Sequence, residues 1–103
     1  MQSFKKKARS AKGKAVTLLE VGIDPYLIGK ENFENPNNEV DELASKRKEK
    51  CVSCELFEDE VLESCMITDV KIPELSNKMC GDCFCILSYK LRQSISKCKL
   101  WQE

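Results

Sequence analysis

The sequence predicts a small metal-stabilised domain: a zinc-ribbon-like module with two short helices, preceded by an extended N-terminal arm. Three observations predict it. The chain has 103 residues, seven cysteines and no histidine. Six of the cysteines fall into a C-x2-C at Cys51 and Cys54, a C-x2-C-x-C at Cys80, Cys83 and Cys85, and a lone Cys98. Charge is also segregated, because six of the seventeen basic residues lie in residues 1–14 without a single acid. The other eleven face seventeen acidic side chains. A chain this short forms one domain at most and buries only about 60% of its unfolded surface, so a staple is expected.

The arm comes first. "MQSFKKKARSAKGK" carries Lys5, Lys6, Lys7, Arg9, Lys12 and Lys14. Such a segment suits nucleic acid, an acidic protein surface, its own acidic body, or plain solvent. "AVTLLEVGI" (15–23) reads as a short strand or extended piece gripping through Val16, Leu18 and Leu19. It is too short and too interrupted for a secretory signal. No stretch approaches the ~20 apolar residues that span a bilayer, so no membrane partner is expected. "DPYLIGKENFENPNN" (24–38) is broken by Pro25, Gly29 and Pro36, yet carries Tyr26, Leu27, Ile28 and Phe33. With turn signals and no helical period, it is expected to fold over the cysteine module or to lie across another protein.

The module spans residues 39–103. A helix starts near residue 39, capped by Asn37 or Asn38, with Glu39, Asp41 and Glu42 in its first turn. Val40, Leu43, Ala44 and Arg47 share the face that runs toward Cys51. Lys46, Arg47, Lys48 and Lys50 suit the helix C-terminus, with phosphate binding the sharper reading. Pro73 breaks the stretch 55–79, which reads as a hairpin or loop. Its acidic run, Glu58, Asp59 and Glu60, reads as a solvated face. A second helix is expected over roughly 85–96, because Leu87, Leu91, Ser94 or Ile95, and Cys98 recur at spacings of three to four, with Trp101 closing over the core.

A C-x2-C turn lets two thiolates reach one ion, and two such turns make a tetrahedral sulfur cage that suits Zn2+. The candidate ligands are Cys51, Cys54, Cys80 and Cys83, with Cys85 and Cys98 as alternates. A cage of Cys51, Cys54, Cys83 and Cys98 is also open. Cys65 stands apart and reads as packing. Thiols clustered in a reducing compartment favour metal over disulfides, and the odd count agrees. The spacing fits neither standard ferredoxin pattern. With no histidine, no phosphate loop and no paired carboxylates, catalysis has no visible machinery.

The segments "ELASKRKEKCVSCELF" (42–57), "CGDCFC" (80–85), "YKLR" (89–92) and "KCKLWQE" (97–103) together resemble a family. It comprises small cysteine-rich zinc-binding proteins of tailed, crAss-like bacteriophages of Bacteroides-type hosts. Phe84 stands where that family usually has Gly, Lys99 where it has Pro, and Cys65 with the 55–79 insertion lies outside the pattern. The resemblance covers about 39–103 and matches Cys51, Cys54, Cys80, Cys83, Cys85 and Cys98 to the family's six cysteines. It implies a phage origin and a zinc-binding module. Because Tyr26, Leu27, Ile28 and Phe33 need burial that their own segment does not offer, the expectation is a non-enzymatic virion protein, a capsid or head auxiliary protein present in the host cytoplasm during assembly and contacting capsid or connector proteins. The alternative is a nucleic-acid-binding zinc ribbon of phage transcription or replication, with the basic arm and Lys46–Lys50, Lys90 and Arg92 on phosphates.

Overall fold

The computed structural model describes residues 2–101. Helix α1 (Gln2–Val21) is followed by α2 (Asp24–Glu34), α3 (Asn38–Val52), strand β1 (Phe57–Asp59), strand β2 (Lys78–Cys80) and a single helical turn, α4 (Leu87–Lys90). Short 3-10 turns lie at Glu63–Cys65, Pro73–Leu75 and Lys99–Trp101. No described helix is long and apolar enough to cross a membrane.

Residues 2–34 form two helices, α1 and α2, where an extended arm was expected. Lysine, arginine and alanine give α1 good intrinsic helix propensity. Its inward stripe is Lys7, Ser10, Gly13, Lys14 and Thr17, at helical spacing but small and polar. Ser10 is fully buried. Gly13 faces the Phe84 ring so closely that any Cβ there would overlap it. Val16, Leu18 and Leu19 point mostly outward, with Leu19 87% exposed. The expected grip of 15–23 is thus reversed: the apolar residues face solvent and the polar ones face the protein.

The chain turns at Gly22, φ 91°, and Pro25 enters the first turn of α2, where its missing N–H costs nothing. Helix α2 packs on α4. Pro25 and Gly29 are buried, and a Cβ on Gly29 would collide with the Tyr89 carbonyl. Tyr26 and Phe33 each meet the Tyr89 ring edge-on at 5.5 Å. Asn32 Nδ2 donates to the Arg92 carbonyl at 2.6 Å. Of the four apolar residues that needed burial, only Phe33 is half-buried, while Tyr26, Leu27 and Ile28 remain exposed.

Helix α3 forms where the capping signals place it. The Asn37 side chain accepts the Val40 N–H at 3.2 Å, an interaction of about 1 kcal/mol. Ala44 and Arg47 are buried. Strands β1 and β2 pair antiparallel, with Phe57 opposite Cys80 and Asp59 opposite Lys78. A long loop joins them, as the hairpin reading of 55–79 anticipates. The core is Ala44, Ile72, Leu75, Leu87, Leu91 and Trp101, with Cys51, Phe57, Cys80 and Cys98 against it.

Beside that core runs a buried polar network. Arg92 donates to Asp69 Oδ2 at 2.7 Å and Oδ1 at 3.1 Å, and to Asp41 Oδ1 at 3.1 Å. Ser88 Oγ donates to Asp69 Oδ2 at 2.7 Å. Arg92 and Asp69 are almost wholly enclosed, so each depends on the other for its charge.

The expected helix over 85–96 stops at Lys90. Arg47 from α3 donates to the carbonyls of Leu91 at 3.0 Å and Gln93 at 2.6 Å. A continuing helix would need those acceptors for its own amides. Gln93 then fixes the turn, its side chain bonding the Lys90 and Ser96 carbonyls and the Ser96 amide.

Candidate metal centre

The first cysteine pair sits where α3 ends. Cys51 lies in the last turn, the Cys54 amide donates to the Cys51 carbonyl at 3.0 Å, and the Leu56 amide donates to Cys54 Sγ at 3.4 Å. The second pair lies at the end of β2. Pairing of Phe57 with Cys80, and a bond from the Gly81 amide to the Leu56 carbonyl at 2.6 Å, set the two turns side by side.

The second turn is a tight knuckle. The Phe84 amide bonds the Cys80 carbonyl at 2.7 Å, the Cys80 amide bonds the Cys85 carbonyl at 3.1 Å, and Met79 bridges to Ile86. Closing it puts Phe84 at φ 62°, a left-handed conformation that glycine takes freely and phenylalanine does not. Gly81 does not supply this turn; it makes room for Glu58, whose carboxylate a Cβ would strike.

Five sulfurs, those of Cys51, Cys54, Cys80, Cys83 and Cys98, line one cleft of about 460 Å³ with Lys90 and Trp101. All four candidate ligands border that cleft, and of the two alternates Cys98 joins them. Cys85 lies instead on a smaller apolar cavity of about 230 Å³ beneath α1 and α2, with Cys65; Cys83 stands on the wall between the two. Trp101 Nε1 donates to Cys51 Sγ at 3.4 Å, and Lys90 Nζ to Cys83 Sγ at 2.9 Å.

The thiols act on one another. Burial pushes Cys51 up, against the Trp101 hydrogen bond, and Cys98 and Cys80 raise it further. Cys80 is raised strongly by its bond to Cys83 and by burial, against amide bonds from Cys83 and Asp82. Cys85 is lowered by its bond with Cys83. Burial would lower Lys90, but the Cys83 sulfur and the neighbouring thiols overcome it and hold the ammonium well above its ordinary value. The cleft therefore resists accumulating thiolates without cations, and Lys90 is one cation built into it.

The donor set fits Zn2+ in chemistry: several thiols, four of them in two C-x2-C turns, with amide and indole N–H groups directed at sulfur. Among the described residues no three cysteine or carboxylate groups converge as a set of ligands around one point. A Zn–S cage at ~2.3 Å would have to draw the two turns and Cys98 inward across the cleft. Bound there, zinc would supply a cross-link and charge neutralisation. From sequence, Arg47 and Lys90 read as phosphate contacts and Trp101 as a cover for the core, none of them as a neighbour of the sulfurs. Their roles depend on contacts across 7 to 50 residues, although a Trp three positions after the last cysteine hints at a lid.

The basic segment meets the protein's own acids. Lys7 pairs with Glu63 at 3.4 Å, Arg9 with Glu58 at 3.2 Å and Lys14 with Glu60 at 2.7 Å. Glu60, expected in a solvated face, has a fully enclosed side chain that also accepts the Val61 and Leu62 amides. Lys14 further donates to the Phe84 carbonyl at 2.7 Å and Thr17 to the Cys83 carbonyl at 2.6 Å. In the other proposed basic patch, Arg47 and Arg92 are buried and Lys48 pairs with Glu74 at 2.5 Å.

No family model, curated protein or solved structure matches the chain.

Proposed function

We propose that this chain is a non-enzymatic, zinc-clamped structural protein of a phage virion, a capsid or head auxiliary protein that binds neighbouring subunits of a larger assembly. The phage setting rests on the cysteine-pattern resemblance. The observation that carries a docking role is a run of exposed apolar side chains from Val16 through Ile28, including Leu19, Ile23 and Leu27. Apolar residues concentrated in this way, on a chain one-third charged, mark a protein-contacting surface. Partner contact then runs through a helical ridge in place of an extended arm. Five thiols on one cleft support the zinc clamp.

The nucleic-acid reading loses support because Lys7, Arg9 and Lys14 are engaged by Glu63, Glu58 and Glu60. Mass spectrometry of purified virions tests the proposal. The protein is expected at high copy number, and its absence from intact particles would sink the virion role. Gel-shift measurements at low salt are expected to show no binding to DNA or RNA. Salt-dependent binding with a steep slope would restore the alternative.

A further inference from the structure

We propose that Cys98 completes the metal cage with Cys51, Cys54 and Cys80, and that Cys83 stays outside it as the hydrogen-bond partner of Lys90. This rests on the zinc reading above and names its ligands.

Position comes first. Cys51, Cys54, Cys80 and Cys98 line the large cleft and do not line the apolar cavity, whereas Cys83 borders both. Cys83 already has a cation at 2.9 Å in the Lys90 ammonium, and its carbonyl is held by Thr17. The Cys83 sulfur thus already has its counter-charge in Lys90, which lines the same cleft.

Delivery of Cys98 is the second argument. Helix α3 carries Arg47 one turn before Cys51. Arg47 takes the Leu91 and Gln93 carbonyls and Ser94 Oγ, and lies 4.4 Å over the Trp101 ring. The Trp101 amide bonds the Cys98 carbonyl at 3.2 Å, and its indole N–H bonds Cys51 Sγ. One buried guanidinium thus cuts the last helix short and folds residues 91–101 back on α3. Cys98 is thereby packed, with Cys51 and Cys80, against the same hydrophobic core.

The test is titration of the full chain with Co2+ and Zn2+, read by the cobalt–thiolate spectrum and by competition with a chelator. One ion per chain in a tetrahedral four-sulfur spectrum is expected. Cys98→Ser is expected to weaken binding by roughly 100-fold and to change the cobalt bands, while Cys83→Ser stays within about threefold of wild type with its spectrum intact. The opposite ranking, or two ions per chain, overturns the assignment. Alkylation mapping of the wild-type chain with and without Zn2+ gives the answer without a variant that must fold. Protection of Cys98 supports the assignment, and protection of Cys83 in its place overturns it. A wild-type chain that binds neither ion rejects the zinc reading itself, and the ligand assignment with it.

Discussion

At the scale of single residues, two positions show how tightly the second knuckle and α1 are fitted together. Phe84 holds a left-handed backbone that costs about 1–2 kcal/mol, and its ring fills the space left by Gly13 while lying 4.8 Å beneath the Arg9 guanidinium. Gly13→Ala is therefore expected to destabilise the protein by about 1–3 kcal/mol, despite alanine's higher helix propensity. A melting curve that rises instead would show that α1 does not rest on Phe84. Asp69 gives a second residue-scale expectation. Burial pushes its carboxyl up, but Arg92, the Ile72 amide and Ser88 outweigh burial and hold it below the ordinary 3.8. Its stabilising contribution is thus complete above the ordinary carboxylate value and is lost as pH falls through the lower folded value. Asp69→Asn leaves the enclosed Arg92 with Asp41 as a carboxylate partner and is expected to cost about 1–3 kcal/mol at neutral pH. In denaturant titrations the gap from wild type should narrow as pH falls below 3.8.

At the scale of elements, legibility in the sequence follows the distance between partners. Helix α3 is legible because its cap, its acidic first turn and its inward Ala44 and Arg47 are all local. The two cysteine turns are legible because a three-residue spacing is itself the geometry. Helix α1 is not, because its buried stripe is Ser10, Gly13, Lys14 and Thr17, which no hydrophobic period reports. Its partners, Glu58 to Glu63 and Phe84, lie 49 to 70 residues away. The last helix is over-read for a related reason, since Leu87 and Leu91 have the right spacing but Arg47 removes the acceptors. The ion pairs holding α1 differ in shielding, which gives a prediction at this scale. Glu60→Gln should loosen α1 far more than Glu63→Gln, because the Glu60 side chain is enclosed and that of Glu63 is 82% exposed. Amide hydrogen exchange along residues 7–17 checks this, with comparable rates in the two variants as the contrary result.

For the whole molecule, the sulfur cleft borders the only hydrophobic cluster among the described residues that spans α3, β2 and α4. Clamp and core are therefore expected to melt together. Removal of zinc with a strong chelator should abolish the cooperative thermal transition, and Cys54→Ser should do the same without chelator. Cys65→Ser should shift the midpoint by only a few degrees, since Cys65 lies on the other cavity. Circular dichroism on the two variants separates these outcomes, and an unchanged melt for Cys54→Ser would detach the core from the clamp.

The polar stripe of α1 also has a consequence in time. Within this chain α1 is synthesised first, yet the groups it rests on, Glu58, Glu60 and the Phe84 knuckle, come much later. At roughly 5–20 residues per second the ribosome takes several seconds to supply them. During that interval α1 is a solitary helix of 20 residues, marginal by itself. A greasy stripe waiting that long would invite the wrong company. Serine, glycine, lysine and threonine add no apolar surface on that face while its dock is still missing.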